Sequence, residues 1–191
     1  MFIGTYFVKR LFYFNIFISL LTFFTPLGEY LLMGFGLIDF WNPIQLIGYL
    51  FLHGNFNHLF GNMIGLIVFG PIVEQYTGAK KFILYYLIMG IVAGISQLLL
   101  GSSNAMLIGA SGSIFGLITF AFLLNPNMKF LFGIPFKLVF YAIIGFEIFA
   151  LFGPLDNIGH IAHLFGALTG LLLFIYECGF NPQKWKKLYL F

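Results

Sequence analysis

The chain of 191 residues is 61% hydrophobic and only 8% charged, with 28 phenylalanines, against about 25% charged residues in an ordinary soluble domain. So few charges cannot cover a soluble fold of this size, and the solvent for most of the surface must be lipid. The net charge of +3 rests on nine scattered basic residues with no Arg-rich aromatic stripe, which leaves nucleic-acid binding without support; the single cysteine, Cys178, excludes an internal disulfide.

Met1 to Thr25 carries a basic pair, Lys9 and Arg10, but no small-residue cleavage site follows its apolar run. It reads as a retained first span rather than a signal peptide. Stretches long enough to cross about 30 Å of hydrocarbon lie near 8–25, 58–76, 82–100, 109–125, 132–152 and 159–178. Breakers separate them: Pro26 and Gly28, Thr77 and Gly78, Gly101 to Asn104, Asn125 to Asn127, and Gly153 to Asn157. The boundaries carry about four residues of latitude. No internal repeat and no soluble domain at either end is visible, so residues 1–191 form a single all-α, polytopic membrane domain of about six transmembrane helices.

The stretch from Glu29 to Leu52 is apolar but interrupted by Gly34, Gly36, Asp39, Asn42 and Pro43. A span there would put Lys80 and Lys81 across the membrane from Lys9 and Arg10. Without it, the basic residues of the N-terminus, the 2–3 loop, the 4–5 loop and the C-terminus share one side, as the positive-inside bias requires. Residues 26–57 are therefore read as a long outer loop of short interfacial helices, with Trp41 and Tyr49 near the headgroups. Both termini are then cytoplasmic.

Polar residues inside spans are costly and point to function. Three clusters stand out: His53-Gly-Asn-Phe-Asn-His58-Leu-Phe-Gly-Asn62 entering span 2, Gly109-Ala-Ser111-Gly112 opening span 4, and Gly159-His160-Ile-Ala-His163-Leu-Phe-Gly166-Ala-Leu-Thr-Gly170 opening span 6. In the six-span topology all three sit at the outer ends of even-numbered helices. His58 and Asn62, four apart, share one helix face and can aim two donors at one place. Ser111 lies at a helix start, where unpaired backbone N–H groups and the dipole favour negative charge. An oxyanion on a carbonyl attacked by Ser111 would meet those donors. Glycines 109, 112, 116, 166 and 170 allow spans 4 and 6 to approach closely, bringing a span 6 histidine within reach of the Ser111 hydroxyl.

Which histidine serves as base is not decided by spacing alone, since His160 and His163 lie within one turn. Depth favours His163, about 4.5 Å further along the helix by its rise; His160 follows the polar Asp156-Asn157 loop and is placed nearer water. The histidine pair also raises zinc, but a membrane zinc protease carries His-Glu-x-x-His, which is absent, so no metal and no cofactor is expected. His53 is expected to fix the outer loop, and Glu74 to pair structurally near the cytoplasmic end of span 2. Glu147, well inside span 5, is expected to face protein or a wet cavity and has no role from sequence.

Four strings in order resemble the rhomboid family of intramembrane serine proteases: His58-x-x-x-Asn62, Gly70-x-x-x-Glu74-x-x-x-Gly78, Gly109-Ala-Ser-Gly112 with Phe115-Gly116, and His163-x-x-Gly166-x-x-x-Gly170. The resemblance implies a rhomboid-like bundle and a Ser111–His163 dyad without a carboxylate, with an oxyanion hole from His58, Asn62 and the Ser111 N–H. It points to His163 as the base, since only that histidine carries the glycine tail. Departures are Gln45 where an Arg of the first outer loop is common, Phe165 where a second Gly is frequent, and Phe115 in place of Tyr. The implied function is endopeptidase cleavage in or near the transmembrane segment of membrane-protein substrates. The segment would be helix-unstable, with a small residue before the cut. The implied setting is the cell (inner) membrane, with the active site opening outward. The alternative is a non-proteolytic relative that escorts membrane clients. A small transporter with a histidine proton relay would show duplicated halves, and none is visible.

Overall fold

The first helix turns large apolar side chains outward and carries two polar residues in its buried stripe, unlike a water-soluble amphipathic helix. In α1 (Tyr6–Phe24) the buried stripe is Val8, Leu11, Asn15 and Ser19, while Tyr13, Phe17 and Phe24 point outward. Asn15 is satisfied by donating to the Leu11 carbonyl at 2.7 Å. The computed structural model describes residues 5–179 except 40, 102–105, 131–132 and 154–157. The breakers Ser102 to Asn104 and Pro154 to Asn157, and the lysines Lys184, Lys186 and Lys187, lie outside the described residues.

The other helices are α2 (Leu27–Phe35), α3 (Pro43–Gly48) with a 3-10 turn at Tyr49–Phe51, α4 (Phe56–Thr77), α5 (Ala79–Leu100), α6 (Ser111–Leu124), α7 (Phe136–Ala150) and α8 (His160–Cys178). The described residues form no sheet, only the isolated bridges Leu37–Leu107 and Lys129–Pro135. Four helices, α1, α4, α5 and α8, are individually long and apolar enough to cross a membrane. At 14 residues, α6 is about 21 Å long, short of about 30 Å of hydrocarbon. Both its ends therefore cannot reach the headgroups if it stands upright. It is also the most enclosed helix, with every residue from Gly112 to Phe122 buried except Phe115.

Between α1 and α4 the chain folds into short helices, none long enough to span. Asn42 starts α3 by accepting from the amides of Ile44 and Gln45. The segment is pinned to the bundle by backbone and side chain. Leu37 and Leu107 exchange amide bonds at 3.0 and 2.9 Å, and the Gly109 amide donates to the Tyr49 carbonyl at 2.8 Å. Gln45 is buried and accepts from the Ile38 amide at 3.3 Å. Trp41 is 79% exposed, whereas Tyr49 is 2% exposed. The expectation that Tyr49 lies near the headgroups is thus corrected: its hydroxyl donates to the Gly90 carbonyl of α5 at 2.6 Å, and that bond draws the whole ring inward.

At the other end of the bundle, the Glu74 carboxylate accepts from the amides of Phe7 and Val8 at 2.8 and 3.0 Å. These are amides of the first turn of α1, which have no intrahelical partner, and the carboxylate also answers the positive end of the helix dipole. Glu74 is therefore a cap supplied by a distant helix. Nearby, Glu177 receives Lys81 at 2.8 Å and the Tyr85 hydroxyl, tying α8 to α5. Cys178 is buried with its sulfur 3.1 Å from the Tyr76 hydroxyl.

Candidate active site

Asn55 caps α4 by accepting from the His58 amide at 2.9 Å, which sets His58 on the first turn and Asn62 one turn further along. Both line a cavity of about 1070 Å³ together with Ser111, Glu147 and His163. The Asn62 amide donates to the His58 carbonyl at 3.0 Å; a carboxamide nitrogen has two hydrogens, so a second remains for a ligand.

Ser111 is the first residue of α6. The preceding turn needs Gly109, whose φ of +116° is open to glycine alone without strain. A Cβ there would also stand 2.5 Å from His58 Cε1, so the imidazole of α4 lies directly on this backbone. Ser113 holds the start of α6 to α5 by donating to the Tyr86 carbonyl at 2.7 Å.

Helix α8 lies against α6 backbone to backbone. A Cβ on Gly166 would overlap the Gly112 carbonyl, one on Gly170 the Gly116 carbonyl, and one on Gly112 would meet Ala93. The first turn of α8 is satisfied by Gln97, whose side-chain oxygen accepts from the Ala162 amide at 3.1 Å. This contact sets His163 Nε2 2.8 Å from Ser111 Oγ. The His163 ring stacks on Phe115, centroids 4.3 Å apart and planes 7° apart, so the ring standing one turn after Ser111 fixes the plane of the imidazole.

On its far side, His163 Nδ1 faces a carboxylate. Glu147 Oε1 is 3.1 Å away, though off the line of a well-aligned N–H bond, while Oε2 lies 2.6 Å from His160 Nδ1. The resemblance implies a dyad without a carboxylate, and here one stands within contact of the second histidine nitrogen. His160 is no nearer water than His163, their side chains being 9% and 12% exposed, because pairing with Glu147 draws His160 into the interface between α7 and α8. His53 is fully buried in the outer segment, its Nδ1 3.1 Å from Ser19 Oγ of α1. Burial, with the neighbouring His58, lowers its pKa to about 3, so it stays a neutral strut between the segment and α1.

The structure thus brings His58, Asn62, Ser111, His160 and His163 to one end of the bundle and leaves Glu74 at the other. The sequence alone gives Glu147 no role and does not single out Gln97. The signal for both was a polar side chain in an apolar span; which neighbour each meets depends on lateral helix packing that periodicity does not encode. Glu147, His160 and His163 also present ligand atoms within 4.8 Å of one another. The 2.6 Å approach of Oε2 to Nδ1 is a hydrogen-bond distance, shorter than the edge of about 3.3 Å that a tetrahedral shell with bonds of about 2.0 Å requires.

A family model, the Rhomboid domain, matches residues 40–180. The chain is 31% identical over 146 residues to Rhomboid-like protein 11, chloroplastic, of Arabidopsis thaliana, covering 68% of this chain and 50% of that protein. It is 31% identical over 129 residues to Putative rhomboid protease YdcA of Bacillus subtilis, covering 68% and 64%, and 26% identical over 145 residues to Rhomboid protease GlpG of Haemophilus influenzae, covering 75% and 71%. The chain therefore spans between half and two thirds of the length of the first two.

Proposed function

The chain belongs to the rhomboid family of membrane proteins, and from that premise we propose that it is an intramembrane serine endopeptidase acting on membrane-protein substrates. The observation that carries this reading is the 2.8 Å contact of His163 Nε2 with Ser111 Oγ in a cavity that His58 and Asn62 also line. In the proposed reaction the Ser111 oxygen attacks the scissile carbonyl carbon as Nε2 takes its proton. The carbonyl electrons move to the oxygen, where the Ser111 amide at the start of α6, the free Asn62 hydrogen and the His58 ring would stabilise the charge. Collapse expels the amine, protonated by His163; water then repeats the sequence on the acyl-enzyme and frees Ser111. A hydrogen-bonded helix hides its carbonyls, so the substrate segment must unwind first, which favours helix-unstable segments.

The same reading takes α6 and α7 as crossing segments beside the four long helices, giving six spans in a single domain of the cell membrane. Both termini are cytoplasmic and the cavity opens outward. A reporter fused after Phe191 is expected inside the cell and a tag near Ser103 outside; a tag at Ser103 found inside would overturn the topology.

The function is tested with purified protein and a generic single-span substrate in liposomes, beside Ser111→Ala. Wild-type protein should cleave and the variant should not. Asn62→Ala should remain folded and lose up to about 10²–10³ in rate, the range for one oxyanion donor, less where His58 and the backbone share the charge. Full activity in both Asn62→Ala and His58→Ala would remove α4 from the oxyanion role.

A further inference from the structure

Among the described residues of α7, only Phe136 and Glu147 are buried. A carboxylate in the middle of an apolar helix is costly unless paired, and its partners here are two histidines of α8. The two oxygens divide between them: Oε2 makes the short contact to His160 Nδ1, and Oε1 faces His163 Nδ1. The first is in the range of a charge-assisted bond and fixes the rotation of the carboxylate. The second oxygen is thereby held beside Nδ1 of His163, 3.1 Å away and off the line of an aligned N–H bond.

An ionised carboxylate only accepts hydrogen bonds. A carboxylate at that distance favours the ring hydrogen on Nδ1 by its charge, without the alignment of a hydrogen bond, and that form leaves Nε2 bare toward Ser111. That is the tautomer a general base needs, because the serine must donate to Nε2 before losing its proton. We propose that Glu147 is a positioning residue for His163: anchored by His160, it fixes the Nδ1–H tautomer and completes a Ser–His–Glu relay drawn from α6, α8 and α7. The proposal rests on the serine-protease reading given above. During attack the proton passes from Oγ to Nε2, the imidazolium forms beside the carboxylate, and Glu147 stays ionised throughout. The other groups facing the ring are Phe115 and Ser111 of α6, His160 of α8, and His58 across the cavity.

The experiment has two independent readings on the full chain in detergent micelles. The first is the tautomer of His163 by nitrogen-15 NMR of histidine-labelled protein, assigned with His163→Gln. Wild-type protein should show a protonated Nδ1 and a bare Nε2 at neutral pH, and Glu147→Gln should lose that preference. The second is kinetic: Glu147→Gln should lower kcat by about 10²-fold or more with KM changed less than threefold, and Ser111 labelling by a fluorophosphonate should slow in parallel. His160→Gln, which keeps the carboxylate, should fall between the two.

A wild-type His163 protonated on Nε2 overturns the proposal, as does Glu147→Gln with wild-type kcat and tautomer. Histidine signals that shift on adding a chelator would place a metal between these groups and overturn it too. If wild-type protein cleaves nothing, the protease reading fails, while the tautomer still decides the positioning role. If Glu147→Gln does not fold, the wild-type spectrum decides alone.

Discussion

His163→Ala is expected to abolish both cleavage and phosphonate labelling of Ser111, while His160→Ala keeps a measurable fraction of each. The two histidines lie one turn apart on α8, yet only His163 presents a nitrogen to the serine hydroxyl, at 2.8 Å, and only its ring rests flat on Phe115. Loss of the group that takes the proton costs on the order of 10⁴-fold or more in serine hydrolases. His160 touches Glu147 instead. Removing it leaves a buried carboxylate with one misaligned partner, and breaking a buried pair from one side costs about 3–5 kcal/mol of stability. The two variants should therefore separate: His163→Ala nearly inactive but closer to wild type in melting temperature, His160→Ala partly active and less stable. A well-folded His163→Ala that still cleaves, beside an inactive His160→Ala, reverses the assignment.

Gly166→Leu should be the most damaging apolar substitution at the α6–α8 contact. Its Cβ would overlap the Gly112 carbonyl oxygen, and the equivalent atom at Gly170 would overlap that of Gly116. Backbone atoms of a neighbouring helix have no rotamer to escape into, so the helices must separate. Overpacking commonly costs about 1–3 kcal/mol; a rigid backbone obstacle puts Gly166→Leu at or beyond the top of that range. Because the same contact sets the Ser111–His163 distance, activity should vanish even in molecules that remain folded. Gly145→Ala is the control: nothing among the described residues lies within 4 Å of the added carbon, and helix propensity alone predicts a gain of at most about 1 kcal/mol. Unfolding by denaturant titration in micelles reads both. A Gly166→Leu protein as stable and active as wild type would show that α6 and α8 do not meet as described.

The sequence carried the residues of the cavity and the glycine spacing at its back. His58 with Asn62 and Ser111 with its flanking glycines announce themselves because polar groups in apolar spans have few other reasons to exist. Their partners were less legible. Glu147 was conspicuous as a carboxylate in span 5, but its meeting with α8 depends on how α7 leans, which no helical period records. Tyr49 resembled an interfacial aromatic by composition and became a core residue because one carbonyl, that of Gly90, accepts its hydroxyl. The polar residues before His160 point it toward water, and the attraction of Glu147 outweighs that trend. The four long helices follow directly from apolar run length; α6 and α7 fall short of that criterion because their helical turns begin or end inside the apolar stretch.

The cap that Glu74 places on α1 has a bearing on biogenesis. The amide of Val8 and the carboxylate that answers it are 66 residues apart in the chain, so α1 leaves the ribosome long before its cap is made. At about 5–20 residues per second, the first helix goes on the order of ten seconds or less without this cap, the two amides of its opening turn left to water. Its membrane insertion in that interval rests on its own apolar length, without the cap. Arrival of α4 then locks it, making the early helix a client of the later one.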